Sequence, residues 1–329
     1  MGGASTYRAP RWLRNPHLQS VLGSSAPRRW MAARALAATG AVTTTHVVDG
    51  GGGVRLQGLH STVPGRRPLG LALLLHGWEG SADSTYMRLS AARLLSRGFD
   101  VFRLNFRDHG GTHHLNEGIF HSCLIDEVVH AAGDIARRFQ PEPAAPLRVG
   151  GYSLGGNFAL RLGLRAPAAG LSVAKIAAVC PVLDPAATMT AMERGFPLYA
   201  WYFRRKWTRS LRRKQALFPK LLALDDRTLD LDLRPLTGWL VERHTDLGHI
   251  DRYFDGYAIA GERLAALRVP ADILTSADDP VIPVSGFNAL RLAPGTRLEI
   301  ATHGGHCGFL LDARLRGFAE HWIAERLAS

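Results

Sequence analysis

A serine stands in the middle of a glycine-rich turn, in a pattern typical of an activated nucleophile. The segment Gly151-Tyr152-Ser153-Leu154-Gly155-Gly156-Asn157 follows an apolar run at 147–149 and precedes a helix-like run at 158–164. Glycines two residues before and two residues after the serine permit a sharp strand-to-helix turn, because larger side chains would collide with the adjacent strand and helix. The helix that begins there directs backbone N–H groups towards the reacting oxygen. We therefore predict that Ser153 is a nucleophile in acyl-transfer chemistry.

A serine hydroxyl needs a histidine that takes its proton and an acid that orients the histidine. Two later loops supply these groups in the chain order serine, aspartate, histidine. Asp279 follows an apolar run at 271–276, and His306 follows another at 297–301. Because the serine, the aspartate and the histidine each follow a predicted strand, a single catalytic site is favoured over separate structural roles for the aspartate and the histidine. We predict a triad in which Ser153 attacks, His306 transfers the proton and Asp279 orients the imidazole.

The acid and the histidine each have rivals in the sequence. Asp279 is preferred to its neighbour Asp278 because the acid of such loops usually stands four residues before a proline, as it does here. Asp184, at the end of the preceding predicted strand, is a third candidate for the acid. His306 is preferred to His303 because glycines surround it.

Backbone N–H groups near these residues are candidates for an oxyanion hole, which stabilises the negative charge that forms on a substrate carbonyl oxygen. The N–H of Leu154, directly after the nucleophile, is the first candidate. The second is the N–H of Trp78, in the segment His76-Gly77-Trp78-Glu79-Gly80 that follows the apolar run 69–75. We interpret His76 as a structural residue of that loop.

The remaining histidines and cysteines lack the fixed spacing of a zinc site. We therefore interpret the histidines of the loop 108–121 as loop packing or cleft lining, and we expect neither a metal nor a cofactor. Three cysteines are an odd number without metal-ligand spacing, which favours a reducing compartment. The residues concerned are Asp108, His109, His113, His114 and His121 in one glycine-containing loop, and Cys123, Cys180 and Cys307 elsewhere.

The elements that must position these groups alternate along the chain. Strand-like runs at 42–48 and 54–61 form a hairpin, after an irregular N-terminal arm. Strands alternating with helices predict an α/β fold with a mostly parallel sheet that helices cover on both faces. The further strands are predicted at 69–75, 100–105, 147–150, 175–180, 271–276 and 297–301, and the helices at 85–96, 119–139, after Ser153, and 309–327.

One segment interrupts this alternation. Residues 184–267 contain only helical and irregular pieces, so we predict an inserted helical cap, with 1–183 and 268–329 forming the core. Aromatic residues recur in the cap every four positions at Tyr199, Phe203 and Trp207, as on one face of a helix. The cap also carries eight basic residues and no acidic residue between 204 and 220.

Composition limits the class of protein. The chain has 329 residues, 46% hydrophobic and 21% charged, which fits one large α/β domain with an insertion or two small domains. No apolar run approaches the roughly 20 residues that span a bilayer, and no signal peptide is recognisable at the N-terminus, so a cytoplasmic protein is expected. The net charge of +12 is compatible with nucleic acid, anionic membranes or acidic substrates as partners, or with arginines spread over solvated faces. Because basic residues concentrate in the cap, peripheral contact of the cap with an anionic membrane is one expectation. No nucleic-acid motif is present, so no nucleic-acid partner is expected.

Taken together, the motifs resemble the YheT-like branch of the α/β-hydrolase fold family. The resemblance implies a hydrolase core with an inserted cap, a Ser-Asp-His triad and serine esterase activity on small-molecule or lipid esters. Mammalian relatives of this branch resemble lipases of acylglycerols or phospholipids. One departure is Asp108, where such loops usually carry glycine, and it concerns the lining of the cleft. The matching segments are 14–20, 76–81, 105–111, 120–122, the serine turn, 278–280 and 304–309.

Two other functions fit the same sequence. A thioesterase or an acyltransferase would use the same triad, because these reactions pass through the same acyl-enzyme. A non-catalytic protein that binds anionic surfaces through the basic cap is the rival from a different class.

Overall fold

One sheet forms the centre of the computed structural model, which describes residues 3–142, 145–222 and 224–329. The sheet has nine strands in the order β1-β9-β8-β7-β6-β4-β5-β3-β2. Only the β2–β3 and β3–β5 pairs are antiparallel, which confirms the predicted α/β fold with a mostly parallel sheet. The strands are β1 (Gly3–Ala4), β2 (Val42–Asp49), β3 (Arg55–Thr62), β4 (Leu71–Leu75), β5 (Asp100–Leu104), β6 (Leu147–Tyr152), β7 (Val173–Val179), β8 (Ala271–Ser276) and β9 (Thr296–Ala301).

Helices flank this sheet and fill the segment between β7 and β8. A short 3-10 turn at Arg11–Leu13 precedes them. They are α1 (Pro16–Gly23), α2 (Ala26–Ala37), α3 (Thr85–Ser96), α4 (Ile125–Phe139), α5 (Leu154–Arg165), α6 (Pro185–Arg194), α7 (Pro197–Leu217), α8 (Asp226–Leu229), α9 (Leu233–His244), α10 (Ile250–Tyr257), α11 (Val284–Asn288) and α12 (Ala319–Ala328).

Strand β4 explains why the sheet is covered on both faces. All five of its residues are buried, and successive side chains of a strand point to opposite faces. Leu71, Leu73 and Leu75 belong to an apolar core with α4 and α5, whereas Ala72 and Leu74 belong to a second core with α3 and α12. A continuous apolar run is therefore what a central parallel strand requires.

Some predicted bounds differ from the structure. The N-terminal arm is not irregular, because its residues 16–23 and 26–37 form α1 and α2. The Asn15 carboxamide oxygen caps α1 by accepting from the N–H groups of His17 and Leu18, and Pro16 stands at the first helical position. This Asn-Pro signal is typical of a helix start. The helices predicted to begin at 119 and 309 begin later, as α4 and α12.

The five helices α6–α10 occupy the segment predicted as a cap. The described residues of 184–267 contain no strand, and α6 contacts α7, α9 and α10. We call these five elements the cap helices. Among the described residues, no helix is both long enough and apolar enough to cross a membrane.

A buried ion pair joins the longest cap helix to the core. The Lys214 ammonium group in α7 donates to the Asp108 carboxylate at 2.8 Å, and these side chains are 1% and 6% exposed. Burial raises the pKa of Asp108 and the neighbouring ammonium group opposes that rise. The same carboxylate accepts from the N–H of Phe120 at 2.9 Å. The aspartate that departs from the family pattern thus anchors α7 over the loop that contains it.

Candidate active site

The predicted nucleophile lies on a tight turn between β6 and α5. Ser153 has φ of 53° and ψ of −119°, a strained conformation for a residue with a side chain. A Cβ atom at Gly151 would lie 2.1 Å from the carbonyl oxygen of Gly155, and one at Gly155 would lie 2.2 Å from that of Leu75. The turn therefore requires glycine at both positions, because a larger side chain would collide with the adjacent backbone.

The structure brings together the three residues predicted as a triad. The His306 Nε2 atom lies 3.0 Å from the Ser153 hydroxyl oxygen, and its Nδ1 atom lies 2.9 Å from a carboxylate oxygen of Asp279. The Asp279 side chain is fully buried, and its other oxygen accepts from the N–H groups of Val281 and Ile282 at 2.8 and 2.9 Å. These bonds fix the carboxylate against the imidazole.

The charge of that carboxylate controls the histidine. Burial, the largest single influence, lowers the pKa of His306, but the charge of Asp279, the charge of the neighbouring Cys307 and the hydrogen bond to Asp279 together outweigh it and raise the pKa to about 9. A histidine with this partner holds a proton firmly once it has taken one from the serine. The arrangement is suited to proton transfer from the Ser153 hydroxyl to the imidazole.

The rival residues lie elsewhere. Asp278 accepts from the N–H of Gly305 at 3.0 Å and contacts the Nδ1 atom of His303 at 3.3 Å, so it braces the histidine loop. Asp184 caps helix α6 by accepting from the N–H of Ala187 at 3.0 Å. None of these side chains makes a hydrogen bond with His306 in the described part of the chain.

The two predicted oxyanion donors lie beside the serine. No acceptor within the described residues pairs with the backbone N–H of Trp78 or of Leu154. A Cβ atom at Gly77 would lie 3.3 Å from the Ser153 Cβ, which places the Trp78 loop against the nucleophile. The buried His76 ring braces this loop, because its Nε2 atom accepts from the N–H of Phe106 at 3.2 Å. Two unpaired N–H groups at one serine are a suitable site for an anionic oxygen.

The cap covers this loop with aromatic side chains. The Trp78 ring stacks on Phe203 with 5.2 Å between ring centroids and meets Trp207 edge to face at 5.5 Å. Both partners belong to the aromatic face predicted for α7.

The N-terminal arm holds the histidine loop, a role that no residue pattern in the arm indicates. The Ser20 hydroxyl accepts from the N–H of His306 at 2.8 Å and donates to the carbonyl of Pro16. Gln19, which is fully buried, accepts from the N–H of Leu310 at 2.7 Å and donates to the Tyr7 hydroxyl at 2.8 Å. The only sequence signal was the arm's contribution to the family resemblance.

Two of the histidines interpreted as loop packing have hydrogen-bond partners in the protein. The His109 ring accepts from the N–H of Glu79 at 3.2 Å, and the His113 ring bonds the Ser210 hydroxyl at 2.7 Å. Potential ligand atoms of Cys180, Cys307 and His306 lie within 4.8 Å of one another, a proximity that sequence spacing does not reveal. Both imidazole nitrogens of His306 are already engaged by Asp279 and Ser153, so we assign no metal to this group.

Two cavities of very different size border both Ser153 and Trp78. The narrow cavity has a volume of about 70 Å³ and a largely apolar lining that includes Met189, Met192 and Leu240. The wide cavity has a volume of about 600 Å³ and a lining that is also largely apolar, with the charged residues Glu79 and Lys206 among its members. His306 lines the wide cavity, whereas the described residues around the narrow cavity do not include it.

A serine on a strand-to-helix turn, hydrogen-bonded to a histidine that follows the last strand of a parallel sheet, is the arrangement of a hydrolase. The chain belongs to the α/β-hydrolase fold family, whose model matches residues 72–313. It is 27% identical over 264 residues to the YheT protein of Escherichia coli (strain K12), a proposed esterase, covering 78% of this chain and 74% of that protein. The predicted resemblance to the YheT-like branch is thereby confirmed.

Solved esterases share the fold at low sequence identity. The esterase Pf2001 of Pyrococcus furiosus is 16% identical with a TM-score of 0.56, covering 98% of this chain and 96% of that one. The esterase of Pyrobaculum calidifontis is also 16% identical, with a TM-score of 0.57 and coverage of 96% and 97%. These structures show the shared fold. The family match and the Escherichia coli relative support a hydrolase of the esterase type.

Proposed function

We propose that this protein hydrolyses carboxylic esters through an acyl-enzyme on Ser153. The observation that carries the proposal is the chain of hydrogen bonds from the Ser153 hydroxyl through His306 to the Asp279 carboxylate, at 3.0 and 2.9 Å. A serine hydroxyl becomes an effective nucleophile when an adjacent base removes its proton during attack.

The reaction follows from this geometry in two halves. The Ser153 oxygen attacks the ester carbonyl carbon while its proton passes to His306 Nε2, and the carbonyl oxygen takes the negative charge. The N–H groups of Trp78 and Leu154 stabilise that oxyanion, and each such donor contributes about 2.7–4 kcal/mol to the transition state. The protonated His306 then donates to the departing alcohol oxygen, which leaves an acyl group on Ser153. Water, deprotonated by the same imidazole, releases the acid and restores the enzyme.

A fluorophosphonate probe tests this assignment directly, because it phosphonylates only an activated serine. We expect one adduct per chain, located on Ser153 by peptide mass spectrometry. Prior incubation with p-nitrophenyl acetate should slow the labelling, since the substrate acylates the same oxygen. An adduct on another serine, or no adduct on folded protein, would refute the proposed nucleophile.

We also propose that α7 makes peripheral contact with anionic membranes, through fewer cations than the sequence suggests. Most basic residues of 204–220 have protein partners. Arg204 and Arg212 pair with Asp230 and Asp226, Lys214 pairs with Asp108, and Arg213 and Lys206 donate to carbonyl groups.

Two exposed arginines of α7 have side chains with neither an ion pair nor a hydrogen bond among the described residues. These are Arg205 and Arg209. Next to them, Trp201 and Tyr202 are 55% and 43% exposed, and the Arg205 guanidinium lies 5.7 Å from the centre of the Trp201 ring. Exposed aromatic rings beside cations are the features that bind a helix to a lipid interface.

Reversing the two free charges should weaken binding to phosphatidylserine-containing vesicles. Each cation near an anionic surface contributes about 1 kcal/mol, so R205E/R209E should bind at least about thirty-fold more weakly in sedimentation at low salt. The control R268E/R314E changes the same number of exposed arginines outside α7 and should bind like the parent protein. Equal losses in both variants would mean that overall charge, and not α7, governs the contact.

A further inference from the structure

The two cavities beside Ser153 differ greatly in volume, at about 70 and 600 Å³. The wide cavity, at about 600 Å³, lies within the range of about 300–1,000 Å³ that is usual for small-molecule sites. The narrow cavity, at about 70 Å³, has room for only a few water molecules, since about 10–15 Å³ of such space holds one water. A substrate that fills both cavities must therefore be strongly asymmetric about its reacting carbon.

The position of His306 determines which half of the ester lies in which cavity. The imidazolium must protonate the departing alcohol oxygen, so the alcohol has to lie on the side that His306 lines. His306 lines the wide cavity and is not among the described residues that line the narrow one. The alcohol is therefore assigned to the wide cavity, and the acyl group to the narrow cavity.

The linings agree with this assignment. The narrow cavity presents Met189, Met192, Leu240 and Ile282, which suit a small hydrocarbon group. The wide cavity includes charged groups at its wall: the Lys206 ammonium, which donates to the carbonyl of Glu79, and the Glu79 side chain itself. The rest of that wall is largely apolar and includes Leu198, Tyr202 and Phe203, so the wide cavity can hold a large alcohol that carries either a hydrocarbon chain or polar substituents.

We infer that the preferred substrates are esters of short acyl groups with large alcohols. This inference rests on the proposed ester hydrolysis at Ser153 and adds the class of substrate. It predicts that the enzyme removes acetyl-sized groups from a larger molecule and does not release long-chain fatty acids.

A pair of isomeric esters tests the inference without a change in composition. Decyl acetate and ethyl decanoate have the same molecular formula but exchange the large and small halves. One extra methylene group in a pocket that is too small for it lowers kcat/KM by about 10–200-fold. We therefore expect kcat/KM for decyl acetate to exceed that for ethyl decanoate by at least about a hundred-fold. The measurement is acid release in a pH-stat, below the aggregation limit of each ester.

The outcomes separate this inference from the proposed function. Equal rates, or a preference for ethyl decanoate, with normal fluorophosphonate labelling of Ser153, would overturn the substrate class and leave the esterase proposal intact. Loss of labelling, together with no hydrolysis of either isomer or of p-nitrophenyl acetate, would overturn both.

A variant that enlarges the narrow cavity supplies the second test. Met192→Ala removes side-chain volume from its wall and should raise kcat/KM for ethyl decanoate by at least about ten-fold, with a much smaller change for decyl acetate. Met87→Ala makes the same replacement at a fully buried position that lines neither cavity, in the core between the sheet and α3. It controls for the general effect of a core truncation, and p-nitrophenyl acetate hydrolysis reports that each variant is folded. An unchanged isomer ratio in Met192→Ala would contradict the placement of the acyl group.

Discussion

Replacing Ser153 with alanine should lower kcat/KM for p-nitrophenyl acetate by at least about 10⁴-fold. The Ser153 oxygen is the atom that His306 Nε2 contacts at 3.0 Å, and no other hydroxyl in the described chain bonds that nitrogen. Without it the acyl-enzyme cannot form. What remains is the contribution of the oxyanion hole and of substrate binding, which gives about 10³–10⁴-fold over the uncatalysed reaction in triad enzymes. Initial rates, corrected for spontaneous hydrolysis, provide the measurement.

The matched control is Ser285→Ala in α11, an exposed serine for which no side-chain hydrogen bond is present among the described residues. Its activity should equal that of the parent protein. Thermal unfolding should be nearly unchanged in both variants, because the Ser153 change removes one hydroxyl and keeps the backbone of the turn. Activity of Ser153→Ala within ten-fold of the parent would mean that another group performs the attack.

The central features of the fold and the candidate site were predictable because they depend on local steric requirements. Position 151 must be glycine because the Gly155 carbonyl oxygen lies close to it, and position 155 must be glycine because the Leu75 carbonyl oxygen does. The spacing of glycines around Ser153 indicates this requirement in the sequence. The continuous apolar run of β4 likewise predicts that both faces of this strand are buried, as they are in the structure. The order of strands then places Asp279 and His306 at the same edge of the sheet as the serine.

Features that depend on distant partners were not predictable. Ser20 bonds a backbone N–H that is 286 residues later in the chain, and no local pattern in the arm indicates this contact. The partners of the basic residues in the cap were likewise not predictable from local sequence. The sequence presents eight basic residues in 204–220, but Lys214 is buried against Asp108, and Arg204 and Arg212 form ion pairs. The sizes of the two cavities also depend on packing between the cap helices and the core.

The pH dependence of the Asp279→Asn variant distinguishes an orienting carboxylate from a merely structural one. The imidazole acts as a base only when neutral, so kcat/KM of the parent should rise with pH towards a plateau above the His306 pKa of about 9. Asparagine removes the charge of Asp279, which opposes the effect of burial most strongly, so burial lowers this pKa against the charge of Cys307 alone. The midpoint should therefore move to lower pH, while the plateau falls by about 10⁴-fold because the imidazolium loses its counter-charge and its fixed orientation.

Asp278→Asn is the neighbouring control for this prediction. Asp278 bonds the Gly305 N–H and contacts His303, but it does not bond His306. Its variant should keep the parent midpoint and lose less than about ten-fold in kcat/KM, because the lost contact braces the loop without touching the imidazole. Profiles between pH 6 and 10, with Ser153→Ala as the blank for spontaneous hydrolysis, provide the comparison. A loss of rate in Asp279→Asn without a downward shift of the midpoint would contradict the assigned role, since folding damage alone lowers the rate equally at every pH.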